Sequence, residues 1–317
     1  MASRFALVFP GQGSQYVGMG KDIYDNFDVA KRVFRDADDA LGFSITEMCF
    51  NGPEEELKKT YNTQPALLTV SYAVYTVLRQ ELGAALNPFA LAGHSLGEYT
   101  ALVVGGAISF EDAVRLVRKR GEFMQDAVPL GEGTMAAIMG LQRQKVVEIC
   151  NEASSFGVVE PVNYNSPVQI VISGHVGAVE KAVELAKQAG AKKAVMLPVS
   201  APFHSSLMKP AAERLADEIS KVSFSDSKVP VVSNVTADYV TEAEKIRSLL
   251  VQQMYKPVLW EDSVLRLIRD GVDSFAELGA GKVLKGLIKK IDRKVAVVNV
   301  GDVDTIKSAL DFFRGGQ

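Results

Sequence analysis

The chain has 317 residues, 47% hydrophobic and 23% charged, the make-up of a globular protein with one large domain or a large domain and a smaller companion. Its net charge of −3 argues against broad nucleic-acid binding. The isolated Cys49 and Cys150 argue against a disulfide framework or a structural zinc site, and no run of about eighteen apolar residues suggests a membrane helix.

In chain order, Met1 to Phe5 lacks the apolar core of a signal peptide, so a cytoplasmic, reducing location is expected. Residues 5–9 are an apolar run ending in Pro10-Gly11-Gln12-Gly13, a strand followed by a loop. The loop invites a nucleotide reading, but G-x-G-x-x-G needs glycine where Tyr16 stands. Gly279-Ala280-Gly281-Lys282 fails the Walker pattern in the same way, lacking the upstream glycine and a following Ser or Thr. A first loop whose backbone N–H groups approach a substrate oxyanion fits better. Over 64–82, Leu67, Val70, Val74, Val77 and Leu78 recur at helical spacing, with Pro65 near the start and Gly83 past the end. A strand at 89–92, a helix over 98–104 and another over 110–125 follow. This alternation predicts a mostly parallel sheet covered by helices.

The rhythm changes near Gly131. Strands at 134–139, 158–163, 168–173 and 193–199 and helices at 143–152 and 178–189 come in the order β-α-β-β-α-β, with Asn165-Ser166-Pro167 as the central turn. After them, strands at 229–233, 274–278 and 294–300 alternate with helices at 205–220, 241–254, 261–269 and 282–290. The expected fold class is α/β: a hydrolase-like parallel-sheet core, residues 1–128 and 200–317, with an inserted ferredoxin-like subdomain at 129–199. Two consecutive domains are the alternative.

The chemistry begins at Gly93-His94-Ser95-Leu96-Gly97. This G-x-S-x-G follows a short strand and precedes a helix, the context of a nucleophile elbow. The helix start beyond Ser95 offers unpaired N–H groups and a positive dipole end to an oxyanion. A serine is a weak nucleophile until a base takes its proton, and the chain has three histidines. His94 shares the tight turn and should leave the backbone in another direction. His175 falls in the small domain without an obvious partner. His204 lies in Pro202-Phe203-His204-Ser205, where the chain re-enters the large domain, and is the best candidate for the base. The group orienting it stays open: Asp112, Glu122, Asp126 and Glu132 lie between Ser95 and His204, and a backbone or side-chain carbonyl would also serve. Arg120 reads from its neighbours Arg115, Arg118 and Lys119 as one more solvated helix residue.

Phe9-Pro10-Gly11-Gln12-Gly13-Ser14-Gln15, Gly93-His94-Ser95-Leu96-Gly97-Glu98-Tyr99, Arg118-Lys119-Arg120-Gly121, Asn163-Tyr164-Asn165-Ser166-Pro167, Phe203-His204-Ser205, the run from Gln253 to Trp260 and Glu277-Leu278-Gly279-Ala280-Gly281 occur in this order. Over essentially its whole length the chain thereby resembles the acyl-carrier-protein acyltransferase family, its malonyl-transferring members above all. The family's fold is a hydrolase-like core with an inserted ferredoxin-like subdomain.

The resemblance implies a ping-pong transfer of the malonyl group from malonyl-CoA to the phosphopantetheine thiol of acyl carrier protein, as in fatty-acid synthesis. Ser95 would carry the malonyl ester and His204 would be its base, with the main-chain carbonyl of Gln253 orienting the imidazole. Backbone N–H groups of Gln12 and Leu96 would form the oxyanion hole. Arg120 would pair with the malonyl carboxylate and so reject acetyl. Phe203 would exclude an α-methyl branch, and Asn163 would be a polar neighbour of the site or a strand-end turn residue. No cofactor and no metal are expected, and the protein is expected to be a monomer. Lys282, Lys285, Lys289, Lys290 and Arg293 cluster around one predicted helix, as a docking patch for an acidic carrier protein or as a solvated face. A serine hydrolase and a non-catalytic docking module are the rival readings.

Overall fold

Two sheets organise the chain in the computed structural model, which describes residues 4–314. The strands, in chain order, are β1 (Arg4–Phe9), β2 (Ala90–Gly93), β3 (Gly133–Met139), β4 (Val159–Ser166), β5 (Gln169–His175), β6 (Lys193–Met196), β7 (Val231–Val232), β8 (Tyr239–Val240), β9 (Val272–Leu278) and β10 (Ala296–Val300). The larger sheet has the order β10-β9-β1-β2-β7-β8 and is parallel except at the β7–β8 edge.

The apolar run of β1 shows why this sheet is covered on both faces. Leu7 and Phe9 join the core formed with the helices Thr60–Leu82, Leu96–Val104 and Phe110–Gln125. Ala6 and Val8 point the other way, into a second core with the helices Trp260–Arg269 and Val283–Ile291. No described helix is long and apolar enough to cross a membrane.

The smaller sheet has the order β4-β5-β3-β6 with antiparallel pairing throughout. Helices Arg143–Ala153 and Val176–Gln188 bury their apolar stripes on it around Ile138, Val146, Ile172 and Val179. Its β-α-β-β-α-β order is the ferredoxin-like arrangement. The loop before helix Trp260–Arg269 runs along β4 of this sheet: Tyr164 N–H donates to the Val258 carbonyl (3.0 Å), and Val258 N–H donates to that of Val162 (2.7 Å).

Several elements differ from the sequence expectation. β4 continues to Ser166, so Asn165 and Ser166 belong to the strand and the turn is shorter. β6 stops at Met196 instead of 199. The long helix starts at Thr60 and takes Pro65 inside it. Proline lacks an N–H, so the Tyr61 carbonyl one turn earlier loses its helical donor. Arg118 Nη1 donates to that carbonyl instead, at 3.3 Å. Helices Lys21–Asn26, Asp28–Leu41, Ile45–Asn51, Glu54–Leu57 and Val303–Arg314 go beyond what the sequence reading assigned.

Candidate active site

β2 leads into a turn so tight that two of its residues cannot carry a side chain. A Cβ on Gly93 would lie 1.9 Å from the Gly97 carbonyl carbon, and one on Gly97 would lie 2.0 Å from the Phe9 carbonyl oxygen. Ser95 between them has φ 51° and ψ −103°, a backbone conformation rarely adopted by a residue with a side chain. Asn234, just past β7, holds it: its Oδ1 accepts from Ser95 N–H (2.7 Å) and its Nδ2 donates to the Gly93 carbonyl (2.7 Å).

The chain returning from the small sheet brings His204 to this turn, itself at φ 63°. Its Nε2 lies 2.8 Å from Ser95 Oγ and its Nδ1 2.7 Å from the Gln253 main-chain carbonyl. A carbonyl can only accept, so Nδ1 carries the proton and Nε2 is left to accept from the serine hydroxyl. Burial, then the nearby Arg120 guanidinium, push the His204 pKa down to about 3, so the imidazole is neutral and able to take a proton. The question of the orienting group is thus answered by a backbone carbonyl. Asp112 and Glu122 are engaged elsewhere, with Ser109 and with Arg118 and Lys119. His94 turns away from Ser95 and donates from Nε2 to Asn165 Oδ1 (2.8 Å), while His175 Nδ1 accepts from Val158 N–H in the small subdomain.

Arg120 corrects the reading from its neighbours. It is 1% exposed, on the stripe Ala113, Val117, Arg120, Met124 that faces the core. Arg118, two residues away, is on the surface with Glu122. Arg120 Nη1 donates to Gln64 Oε1 (2.7 Å), and Nη2 donates to Gln253 Oε1 (3.0 Å) and to Ser95 Oγ (3.1 Å). The guanidinium lies over the Tyr99 ring, 5.2 Å from its centre. Among the described residues no acidic side chain forms an ion pair with it at hydrogen-bond range, so a fixed positive charge sits buried beside the serine with no carboxylate in direct contact.

Gln12, Ser95, Leu96, Arg120, Asn163, Phe203 and His204 line one cavity of about 120 Å³, with Gln253 behind it. Leu96 opens its helix, and the N–H groups of a first helical turn have no partner within the helix. Gln12 stands opposite, its side chain reaching Thr60 Oγ1 at 3.4 Å. Phe203 is buried in the wall, and Asn163 contributes a buried Oδ1 without a hydrogen-bond partner among the described residues. The cavity shares Gln12, Leu197, Val199 and Phe203 with a wider groove of about 610 Å³ that reaches Lys58, Lys59 and Tyr61.

Four contributors escaped the sequence reading: Gln64, Glu98, Asn165 and Asn234. A faint signal existed for Gln64, a polar residue on the apolar stripe of its helix. For Asn234 there was none, because it stands 139 residues from the serine it holds. The basic cluster is smaller than its sequence suggests. Lys285 Nζ donates to Asn299 Oδ1 (3.2 Å), and Lys289 Nζ to the carbonyls of Arg293 (3.2 Å) and Val295 (2.6 Å). Lys282, Lys290 and Arg293 remain exposed.

This arrangement — a strained serine, a neutral base behind it and helix-start donors beside it — is suited to acyl transfer. Comparison with known proteins agrees. Residues 6–306 match the model of the acyl transferase domain. The malonyl CoA-acyl carrier protein transacylase of Bacillus subtilis is 50% identical over 313 residues, covering 98% of each chain. That of Escherichia coli is 49% identical over 309 residues, covering 98% of this chain and 99% of its own. The solved transacylase of Coxiella burnetii superposes with a TM-score of 0.95 at 44% identity, covering 98% of both chains. A malonyl-transacylase solved in complex with its type II PKS acyl-carrier protein gives 0.95 at 46% identity, covering 98% of this chain and 100% of that one. The chain belongs to the acyl transferase family that includes the malonyl CoA-acyl carrier protein transacylases.

Proposed function

We propose that this protein is a malonyl-CoA:acyl-carrier-protein transacylase, supplying malonyl thioesters for fatty-acid synthesis from the cytoplasm. The observation that carries the choice of substrate is Arg120. A buried cation with no carboxylate in direct contact is costly, and a carboxylate brought by the acyl group relieves that cost through a bidentate pair. A malonyl group brings one; an acetyl group leaves the charge unpaired.

The hydrogen bonds support the following course of reaction. Ser95 Oγ attacks the thioester carbonyl while His204 Nε2 takes its proton, and the Gln253 carbonyl keeps Nδ1–H aimed. The charge gathering on the thioester oxygen meets the backbone N–H groups of Gln12 and Leu96. The intermediate collapses, the C–S bond breaks, and the CoA sulfur leaves with the proton from His204. The carrier protein's phosphopantetheine thiol then gives its proton to His204 and attacks the malonyl ester, and Ser95 leaves as the hydroxyl it was. One thioester replaces another, so the exchange is near balance and calls for no ATP, metal or resident cofactor. The wider groove is the route by which either thioester arm reaches Ser95.

The test is intact mass after brief incubation with malonyl-CoA, with acetyl-CoA in parallel. A malonyl adduct should form, disappear in Ser95→Ala and move onto added holo carrier protein. CoA release without an adduct and without a thiol acceptor would make the protein a hydrolase instead.

A further inference from the structure

Among the described residues Glu98 is the one buried acid at this site, 2% exposed, on the first turn of the helix that Ser95 opens. Its Oε2 accepts from Gln253 Nε2 (2.7 Å) and from Asn234 N–H (3.1 Å). Both partners touch the reacting groups. Gln253 Nε2 also donates to the Ser95 carbonyl (3.0 Å), its Oε1 accepts from Arg120, and its main-chain carbonyl accepts from His204. Asn234 holds the Ser95 N–H.

The chemistry allows only one orientation of the Gln253 carboxamide. A guanidinium has no acceptor and a carboxylate has no donor, so the amide must turn its oxygen to Arg120 and its NH₂ to Glu98. The amide is then a polar bridge between a buried cation and a buried acid. The geometry points to Glu98 as a positioning residue for acyl transfer: through Gln253 and Asn234 it fixes the guanidinium that receives the malonyl carboxylate, the carbonyl behind His204 and the strained turn of Ser95. Without it the Gln253 Nε2 loses its shortest acceptor and keeps only the Ser95 carbonyl and the longer contact to Asn234 Oδ1, so Arg120 faces a less firmly held partner. An acid on the nucleophile helix thus acts on the base and on the acyl selector without touching the substrate.

This inference rests on the malonyl-transfer reading, and the experiment separates the two. Single-turnover acylation would be measured with malonyl-CoA and acetyl-CoA for the wild type, Glu98→Ala, Glu98→Asp and Glu98→Gln, together with the ¹H NMR resonance of His204 Nδ1–H. Misplacing reacting groups by about an ångström costs roughly 10²-fold in rate. Glu98→Ala is expected to lose about that much in the acylation rate constant, to lower the malonyl-to-acetyl ratio, and to shift or broaden the Nδ1–H resonance. Glu98→Gln can still present one carbonyl oxygen to both N–H donors and should restore most of the rate and the resonance. Should Glu98→Ala fail to fold, Glu98→Asp carries the same expectation, because it keeps the charge and withdraws the acceptor by one methylene. Wild-type rates, acyl ratio and resonance in the folded Ala or Asp variant would overturn the inference. So would a Glu98→Gln protein as impaired as either. A wild-type protein that forms no acyl-enzyme would overturn the transfer reading itself.

Discussion

Ser95, Arg120 and Gln253 hang from the six-stranded sheet and its helices, whereas Met135 and Asn163 reach the same cavity from the four-stranded sheet. The first region is overdetermined. Glycines at 93 and 97 leave no room for a Cβ, Asn234 pins the turn, and Arg120 has two fixed acceptors besides the serine. The second supplies walls, and one of its polar atoms at the cavity, Asn163 Oδ1, has no partner among the described residues. The comparison teaches that bond-making groups are held where the backbone has no freedom, while the acyl group is fitted at the seam between the two sheets.

The sharpest way to break the comparison is Arg120→Ala. Removing one partner of a buried, hydrogen-bonded charge pair costs about 2–5 kcal/mol, and that loss should appear in kcat/KM for malonyl-CoA far more than for acetyl-CoA. The same substitution removes one of the two main causes of the low His204 pKa, so the imidazole pKa should rise from about 3 toward its ordinary 6.5. NMR titration of His204 in both proteins checks this, and an unchanged titration would remove Arg120 from the electrostatics of the base.

Within the same region, Glu98 and His204 should give the stability opposite pH dependences. Burial raises the Glu98 pKa from 4.5 to about 7 against the N–H groups of Asn234 and Gln253 and the charge of Arg120, which pull it down. A carboxyl raised in the fold contributes stability that is complete below 4.5 and is lost as pH rises through about 7. His204, depressed from 6.5 to about 3, contributes stability that is present above 6.5 and is lost as pH falls toward 3. Glu98→Gln removes only the first. Relative to wild type it should gain on the order of 3 kcal/mol between pH 4.5 and pH 8, read from urea unfolding at several pH values. A constant difference across that range would mean that Glu98 titrates normally.

Gly97→Ala tests the crowding of the turn. The added methyl would press on the Phe9 carbonyl, and overpacking of this kind costs about 1–3 kcal/mol. The acylation burst should fall along with the thermal midpoint. A fully active, equally stable Gly97→Ala would show that the turn has slack the geometry does not.

The legible parts of the sequence were those written locally. Strand β1, helix Phe110–Gln125 and the G-x-S-x-G turn each carry their pattern within a few residues, and the β-α-β-β-α-β order of the small sheet follows from counting such elements. With three histidines in the chain, elimination led to His204, and the structure sets its Nε2 against Ser95 Oγ. What stayed hidden depends on chain segments meeting across long separations. Arg120 looked solvated because its neighbours are basic, although the stripe Ala113, Val117, Arg120, Met124 placed it on the core face. Glu98 and Asn234 could not be paired at all, since their hydrogen bond joins residues 136 apart and neither sits in a periodic pattern that demands it. β6 ends early for a related reason: Leu197 N–H makes a last bond to the Met135 carbonyl (2.9 Å), after which the chain turns off with Leu197 and Val199 lining the cavity, and their apolar alternation resembles a strand all the same.

The smallest expected effect belongs to the seam, at Asn163. Its Oδ1 is buried without a partner among the described residues, and a buried acceptor left unpaired costs about 1–3 kcal/mol. A residue kept for packing alone would gain by losing that oxygen. Asn163→Ala is therefore expected to hold or raise the thermal midpoint while KM for malonyl-CoA rises several-fold and kcat changes less. This split would mark a group that meets the acyl chain in ground state and transition state alike. Asn163→Asp sharpens the test, because it sets a negative charge beside the place where the malonyl carboxylate must lie and should weaken malonyl more than acetyl. If both variants leave KM untouched, the four-stranded sheet forms only the rim of the cavity, and acyl selection belongs wholly to Arg120.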